Sequence, residues 1–216
     1  MERRVVGELG IIAMRGCEEL ASKVDSYLRE WRSDSPDTYI LEHSCPRFGT
    51  GEGKGMIKHS VRGFDIYIIS DMFNHGVTYE MYGKAVPMSP DDHFADLKRV
   101  IGSLGGKARR INVIMPMLYE GRQHKRSGRE SLDCAIALQE LVNMGVSNVL
   151  TFDAHDARVQ NAIPLEGFED IQASYQMIKA LKQTFPDVTF KKDNMVIVSP
   201  DEGGMSRCIF CSTVLD

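Results

Sequence analysis

The sequence predicts an α/β fold in which helices flank a mostly parallel sheet. Short runs of β-branched and other apolar residues alternate along the chain with longer amphipathic runs, which is typical of α/β proteins. The run Asp65–Ser70 is apolar on both faces, which predicts a strand at the centre of a parallel sheet. The 216 residues suffice for one large domain, or for one domain and part of a second.

The hydrophobic periodicity then predicts the elements one by one. Glu18–Trp31 has its apolar residues at helical spacing, and Ser33-Asp-Ser-Pro36 ends this helix. A second helix begins at Ser89, a capping residue followed by a proline and two acids, and closes at Gly105-Gly106. Further helices are predicted at 131–144, at 171–185 and after Gly204, and strands at 9–14, 38–42, 56–60, 65–70, 111–115, 149–152 and 195–198.

A long connection is predicted between the strand at 65–70 and the second helix. It contains a piece rich in methionine and tyrosine, Met72–Tyr82. The sequence alone does not explain this piece.

Composition excludes several classes of function. The net charge of -4 argues against general affinity for nucleic acid, and no apolar run approaches the roughly 20 residues that span a bilayer. The start of the chain has too short an apolar stretch for a secretory signal, so a cytoplasmic location is expected. Five scattered cysteines do not suggest a disulfide framework. The pair Cys208 and Cys211 is better explained as two ordinary thiols than as a redox motif or half a zinc site.

The predicted strand at 195–198 determines how the domains are assigned. It is apolar on both faces and needs neighbours on each side, yet 12 residues follow Gly204. Either this strand inserts into the main sheet, or it opens a second α/β unit. The residues alone leave both possibilities open.

Three groups of polar residues follow predicted strands. The first is a basic loop, Tyr119–Glu130, which carries four cations and two glycines in an acidic chain. The second is Asp153–Asp156, and the third is Ser199–Gly204. Because the carboxyl ends of parallel strands form one edge of a sheet, we expect all three groups to converge on one crevice.

These residue types together favour a protein that handles phosphate. Arginine and lysine neutralise phosphate oxygens, and aspartate and histidine beside a polyphosphate suit Mg²⁺. Each group also has a plain structural interpretation. The basic loop could be a solvated surface, His155 a hydrogen-bonded structural residue, and Asp201 part of a turn.

At these residues the chain resembles the ribose-phosphate pyrophosphokinase (phosphoribosyl pyrophosphate synthetase) family. Five segments carry the resemblance in order: Val61–Ser70, Asp91–Leu97, Arg122–Glu130, Val149–His155 and Val196–Gly204. The resemblance implies a phosphoribosyltransferase-like fold. It also implies that 1–185 form the N-terminal domain and 186–216 the opening strand and helix of an incomplete second domain. It also implies transfer of diphosphate from Mg-ATP to ribose 5-phosphate for nucleotide biosynthesis, by a homo-oligomer that is a dimer or a hexamer.

The resemblance further implies roles for individual residues. The ATP-binding set would be Phe48, Thr50, Gly51, Glu52, Arg122, Gln123 and His124. Phosphate would be bound by Lys125, Arg126 and Arg129. The cofactor Mg²⁺ would be bound by His155 and Asp201, with Asp153 as a further candidate.

The chain departs from the family pattern at several points. In the family, a loop from a neighbouring subunit holds the adenine, and here Thr50 replaces an acid of that loop. His124 replaces an aspartate. Neither the catalytic lysine loop nor the Asp-Asp-x-x-x-Thr-Gly loop for ribose 5-phosphate occurs in the sequence. We therefore expect the chain to be inactive alone. The alternatives are a non-catalytic, synthetase-associated regulatory subunit and an anion-binding module for another phosphorylated ligand.

Overall fold

The computed structural model describes residues 6–32, 35–191 and 193–215. They fall into two compact units, Met1–Ile171 and Gln172–Asp216. The strands, in chain order, are β1 (Glu8–Ala13), β2 (His43–Ser44), β3 (Met56–Ile57), β4 (Phe64–Ile69), β5 (Thr78–Met81), β6 (Lys84–Pro87), β7 (Arg110–Met115), β8 (Asn148–Phe152) and β9 (Gly167–Ile171). The helices are α1 (Glu18–Trp31), α2 (Pro90–Ser103), α3 (Asp133–Asn143), a 3₁₀-helix (Ala157–Ala162), α4 (Ser174–Thr184) and α5 (Met205–Leu215).

The first unit is built on a five-stranded parallel sheet in the order β1-β4-β7-β8-β9. Strand β4 pairs with β1 on one side and β7 on the other, and its Ile66 and Ile68 are fully buried. The predicted α/β class is confirmed. Strand β4 lies inside the sheet with a neighbour on each side, but it is the second of the five strands and β7 is the central one.

Helices cover the two faces of the sheet unequally. One face packs Ile12, Ile66 and Val113 into a large core with the apolar sides of α2 and α3. The opposite face packs Ile11 and Ala13 into a smaller core that includes Ala21 of α1. This alternation follows from the two-residue period of the strands.

The two predicted N-terminal helices form because their local signals are strong. Helix α1 has the predicted span, although Ser33 and Asp34 of the predicted stop lie outside the described residues. Helix α2 begins with the predicted cap, because the Asp92 amide donates to Ser89 Oγ at 3.1 Å. The Ser89 amide in turn donates to Asp92 Oδ2 at 3.0 Å.

Two predicted strands are shorter than expected. The segment 38–42 forms only an isolated bridge between Ile40 and Ile11. The reason is local, because the Tyr39 amide donates to the Asp25 carboxylate at 2.7 Å and is lost to strand pairing. The segment 56–60 is reduced to β3, which pairs with β2 in antiparallel fashion.

Two observed strand features were missed. The predicted connection contains a β-hairpin, β5–β6, whose turn Tyr82-Gly83 has positive φ at both residues (50° and 73°). The edge strand β9 lies directly before the region predicted as helical, and α4 begins three residues later, at Ser174.

The second unit contains α4 and α5, and its described residues form no strand. The predicted strand at 195–198 is therefore wrong. Val196 and Val198 are exposed, and within this unit no described strand is present to pair with them. Among the described helices of the chain, none is long and apolar enough to cross a membrane.

Candidate functional site

The basic loop leaves the carboxyl end of β7 and is anchored at its first residue. The Tyr119 ring stacks on Phe94 of α2 with centroids 4.3 Å apart, and its hydroxyl donates to Asp91 Oδ1 at 2.6 Å. Burial, followed by the bond to Asp91, raises the pKa of Tyr119. The start of the loop is thus fixed to the first turn of α2.

Backbone strain marks the ends of β7 and β8. Glu120 and Asp153 have φ of 54° and 46°, a left-handed conformation that costs roughly 1–2 kcal/mol in a residue with a side chain. Such residues cluster at functional sites, where the surrounding structure holds them. Burial, with the nearby Asp133 and Asp91, also raises the pKa of Glu120.

The basic loop and the Asp153–Asp156 segment meet, as expected from the shared edge of the sheet. The rings of His124 and His155 have centroids 5.1 Å apart, and His124 Nε2 lies 3.5 Å from Asp156 Oδ2. Two of the three predicted groups therefore come together. The third, with Asp201, lies in the second unit.

Asp156 is held as a carboxylate by its neighbours. It caps the 3₁₀-helix by accepting the Arg158 amide at 2.9 Å, and it also accepts the Arg158 guanidinium. The guanidinium bond, followed by the amide bond, holds the pKa of Asp156 well below its usual range. A fixed negative charge therefore faces His124.

The loop presents four cations to solvent. Arg122, Lys125, Arg126 and Arg129 are exposed, and none of them forms a salt bridge within 6–32, 35–191 and 193–215. Exposed cations in a loop that follows a strand are available to bind an anionic ligand.

A cleft of about 480 Å³ continues from this loop towards α3 and the 3₁₀-helix. Its wall includes His124 and Lys125 from the loop, Cys134 from α3, and Arg158 and Asn161 from the 3₁₀-helix. Sequence reasoning found the first two residues. It missed the last three, because they come from elements with no strand-end signal.

The Phe48 loop, Phe48–Glu52, forms a compact turn. The Phe48 amide donates to the Glu52 carbonyl and the Gly51 amide to the Phe48 carbonyl, both at 2.8 Å. Thr50 Oγ1 donates to Glu52 Oε2 at 2.8 Å, so Thr50 interacts with the loop's own acid. The Phe48 ring is 59% exposed and is free to contact a ligand.

The residues predicted to bind Mg²⁺ can supply only part of its coordination shell. His155 is exposed just beyond β8, with Asp153 two residues before it. No group of three histidine, cysteine, aspartate or glutamate side chains in the described part of the chain could hold a metal ion. Mg²⁺ often takes one or two protein ligands and completes its shell with water and phosphate oxygens, so these residues suit Mg²⁺ carried by a polyphosphate.

Asp201 takes part in a turn in the second unit. Its Oδ1 accepts the Gly204 amide at 2.8 Å, and its carbonyl accepts Ser199 Oγ at 2.6 Å. This agrees with the plain structural interpretation of Asp201, and its role as a metal ligand stays a prediction.

Comparison with known proteins identifies the relatives of this architecture. Residues 9–145 match the family described as the N-terminal domain of ribose phosphate pyrophosphokinase. The chain belongs to this family. The match contains the Phe48 loop and the basic loop, and it ends before His155.

Individual members of the ribose phosphate pyrophosphokinase family are distant relatives. A ribose-phosphate pyrophosphokinase from Parasynechococcus marenigrum is 29% identical over 165 residues, which are 76% of this chain and 44% of that protein. Ribose-phosphate pyrophosphokinase 2 from Enterococcus faecalis is 25% identical over 202 residues, which are 92% of this chain and 54% of that protein. The chain thus spans about half the length of the curated relatives that it matches.

A solved structure confirms the fold. The phosphoribosylpyrophosphate synthetase from Mycobacterium smegmatis superposes with a TM-score of 0.77 at 23% identity. The alignment covers 96% of this chain and 61% of that one.

Proposed function

We propose that this chain supplies the ATP-binding part of a ribose-phosphate diphosphokinase, which transfers diphosphate from Mg-ATP to ribose 5-phosphate in nucleotide biosynthesis. The observation that carries the proposal is the contact of His124, in the basic loop, with His155, which follows β8, in a loop whose four cations are exposed and form no salt bridge with the described residues. Family membership supplies the reaction class.

Each loop has a distinct part in this proposal. Arg122, Gln123 and His124 contact ATP. The other three cations of the basic loop, Lys125, Arg126 and Arg129, bind its phosphates. The Phe48 loop contacts the base, with Thr50, Gly51 and Glu52 completing its shape.

Mg²⁺, when bound with the nucleotide, would be held by His155, with Asp153 as a further candidate, while the role of Asp201 stays a prediction from the family resemblance. It would neutralise phosphate charge during transfer. The role of the protein side chains is to position the phosphates, because phosphoryl-type transfer depends on placement and positive charge more than on a protein nucleophile.

The described site does not include the family's segments for binding ribose 5-phosphate. The sequence has no Asp-Asp-x-x-x-Thr-Gly segment and no recognised catalytic lysine loop. The chain alone is therefore expected to release little or no AMP from ATP and ribose 5-phosphate. Steady AMP release that depends on ribose 5-phosphate would overturn this part of the proposal. A non-catalytic regulatory subunit is likewise expected to release no AMP in this assay.

Calorimetric titration with Mg-ATP tests the binding part. Arg122→Ala should weaken Mg-ATP binding about 10- to 100-fold, because a charge-assisted contact to phosphate is lost. The control is Lys107→Ala, which removes an exposed cation next to Gly105-Gly106, away from the basic loop. Failure of the unchanged chain to bind Mg-ATP, or equal losses in both variants, would contradict the assignment.

The family likeness also motivates a cytoplasmic, homo-oligomeric protein as part of the proposal. Sedimentation velocity at several protein concentrations measures the assembly state. A single monomeric species throughout would contradict the homo-oligomer.

A further inference from the structure

The β5–β6 hairpin, which includes the unexplained tyrosines, lies against the Phe48 loop. The Tyr82 amide donates to the Gly49 carbonyl at 2.8 Å. Met81 Sδ lies 2.9 Å from the position that a Cβ on Gly51 would occupy, so the hairpin packs closely on the loop's glycine backbone. At its other end the hairpin is tied down by Arg15 Nη2, which donates to the Thr78 carbonyl at 2.6 Å.

Arg47 connects the hairpin, the loop and helix α2. Its side chain is only 7% exposed, and Nη2 lies 3.0 Å from Asp96 Oδ2 of α2. Nη1 donates to the Gly51 carbonyl at 3.0 Å, which fixes the far side of the Phe48 loop. The charge of this buried guanidinium is thus paired and both of its Nη atoms are used, whereas its Nε has no hydrogen-bond partner in the described part of the chain.

Tyr79 of β5 completes the surroundings of Arg47. The guanidinium carbon lies 4.5 Å from the centroid of the Tyr79 ring, a cation–π geometry. The Tyr79 hydroxyl lies 3.5 Å from Asp92 Oδ1 in the first turn of α2. The ring therefore covers part of the nearly buried guanidinium.

The Phe48 loop depends on these contacts with the hairpin and Arg47 because its own sequence is flexible. Gly49 and Gly51 give it a backbone with many accessible conformations, and Gly51 has φ of 92°. Ordering a flexible loop costs binding free energy at the moment of binding, whereas a loop held in advance avoids that cost.

We propose that Tyr79 is a positioning residue that holds Arg47 in place and thereby fixes the Phe48 loop in the shape that contacts the base of a bound nucleotide. The inference rests on the proposed function, since it assigns the Phe48 loop to the base. It gives the methionine- and tyrosine-rich segment a role in affinity for the base rather than for the phosphates.

The test compares two ligands that share their phosphates. Mg-ATP carries a base, whereas inorganic tripolyphosphate with Mg²⁺ can engage only the phosphate-binding residues. Tyr79→Leu should weaken Mg-ATP binding about tenfold through loss of the cation–π contact, and should leave tripolyphosphate affinity unchanged. Tyr79→Phe keeps the ring and should bind both ligands like the unchanged chain.

A second measurement does not depend on any ligand. In Tyr79→Leu, the amides of Gly51 and Tyr82 should exchange with deuterium faster, because both donate hydrogen bonds that the hairpin and Arg47 stabilise. Arg47→Lys should also speed exchange of these amides. A lysine ammonium lacks the planar fork with which the arginine binds Asp96 and the Gly51 carbonyl at the same time.

The outcomes separate the two proposals. Unchanged Mg-ATP affinity in Tyr79→Leu, or equal losses for both ligands, overturns the role of Tyr79 and leaves the proposed function intact. Failure of the unchanged chain to bind Mg-ATP overturns the proposed function, and the base-positioning role of Tyr79 with it.

Discussion

Asp96, with 1% of its surface exposed, lies between two arginines. One oxygen is 3.0 Å from Arg47 Nη2, and the other is 2.6 Å from Arg99 Nη1. Removing the carboxylate would leave the nearly buried Arg47 guanidinium with the more distant Asp92, 4.0 Å away, as its counter-ion. Breaking a buried pair in this way is costly, whereas exposed pairs contribute little.

We therefore expect Asp96→Ala to lower the free energy of unfolding by about 3–5 kcal/mol, as measured by urea denaturation. The matched control is Glu140→Ala, which breaks the more exposed Lys98–Glu140 pair at 2.9 Å and should cost less than about 1 kcal/mol. Similar losses in the two variants would show that the Asp96 site is hydrated.

At this scale the sequence could identify Arg122 and His155 but not Arg47. The first two follow strands directly, and the position of a residue relative to a strand can be read locally. Arg47 depends on Asp96, 49 residues away, and on a hairpin that the sequence did not predict. No pattern around residue 47 reports those partners.

Helix α2 and the segment that crosses it contain two glycines in opposite environments. A Cβ added at Gly102, within α2, would meet nothing within 4 Å. A Cβ added at Gly55 would lie 2.3 Å from the Arg99 carbonyl oxygen, a backbone atom that cannot move aside without distorting the helix.

Gly102→Ala should therefore raise the free energy of unfolding by about 0.5–1 kcal/mol, because alanine has less backbone entropy to lose in a helix. Gly55→Ala should lower it by about 1–3 kcal/mol through overpacking. The two substitutions control for each other in thermal and urea unfolding, and effects of the same sign would contradict the packing of α2 on this segment.

Local signals explain which elements could be predicted. The cap at Ser89 and the apolar spacing of α1 lie within the helices that they define. The β5–β6 hairpin was missed because its turn is Tyr82-Gly83 rather than an asparagine- or aspartate-glycine pair. The strand predicted at 195–198 failed because apolar character alone supplies no pairing partner.

Across the whole molecule, three cysteines lie in the core, and burial raises the pKa of each to about 11: Cys17, Cys45 and Cys134. In the unfolded chain a thiol titrates at about 8.5. The neutral thiols therefore stabilise the fold fully below that pH. The stabilisation is lost as pH rises towards 11, because the unfolded state releases protons first.

We expect the free energy of unfolding, measured by urea denaturation under reducing conditions, to fall between about pH 8.5 and pH 11. Cys134→Ala should reduce the slope of this fall, since one of the three buried thiols is gone. Cys208→Ala, which changes a half-exposed thiol of α5, is the matched control and should leave the slope unchanged. A slope that is equal in all three proteins would contradict the prediction.

The fold class could be predicted because alternation of strands and helices persists along the whole chain. The meeting of His124 with His155 could also be anticipated, since β7 and β8 are parallel neighbours and both segments leave their carboxyl ends. The cleft beside them could not, because Arg158 and Asn161 belong to a 3₁₀-helix whose position depends on Asp156 and α3.

The order of strands in the main sheet repeats their order in the chain. During synthesis on the ribosome, each of these strands therefore meets a partner that has already emerged and whose outer edge is still open. No strand has to be inserted between two that are already paired. The sequence separation between paired residues also decreases along the chain, from the Glu8–Phe64 pair to the Asn148–Gly167 pair. The longest loop is therefore closed first, and every later strand closes a shorter one.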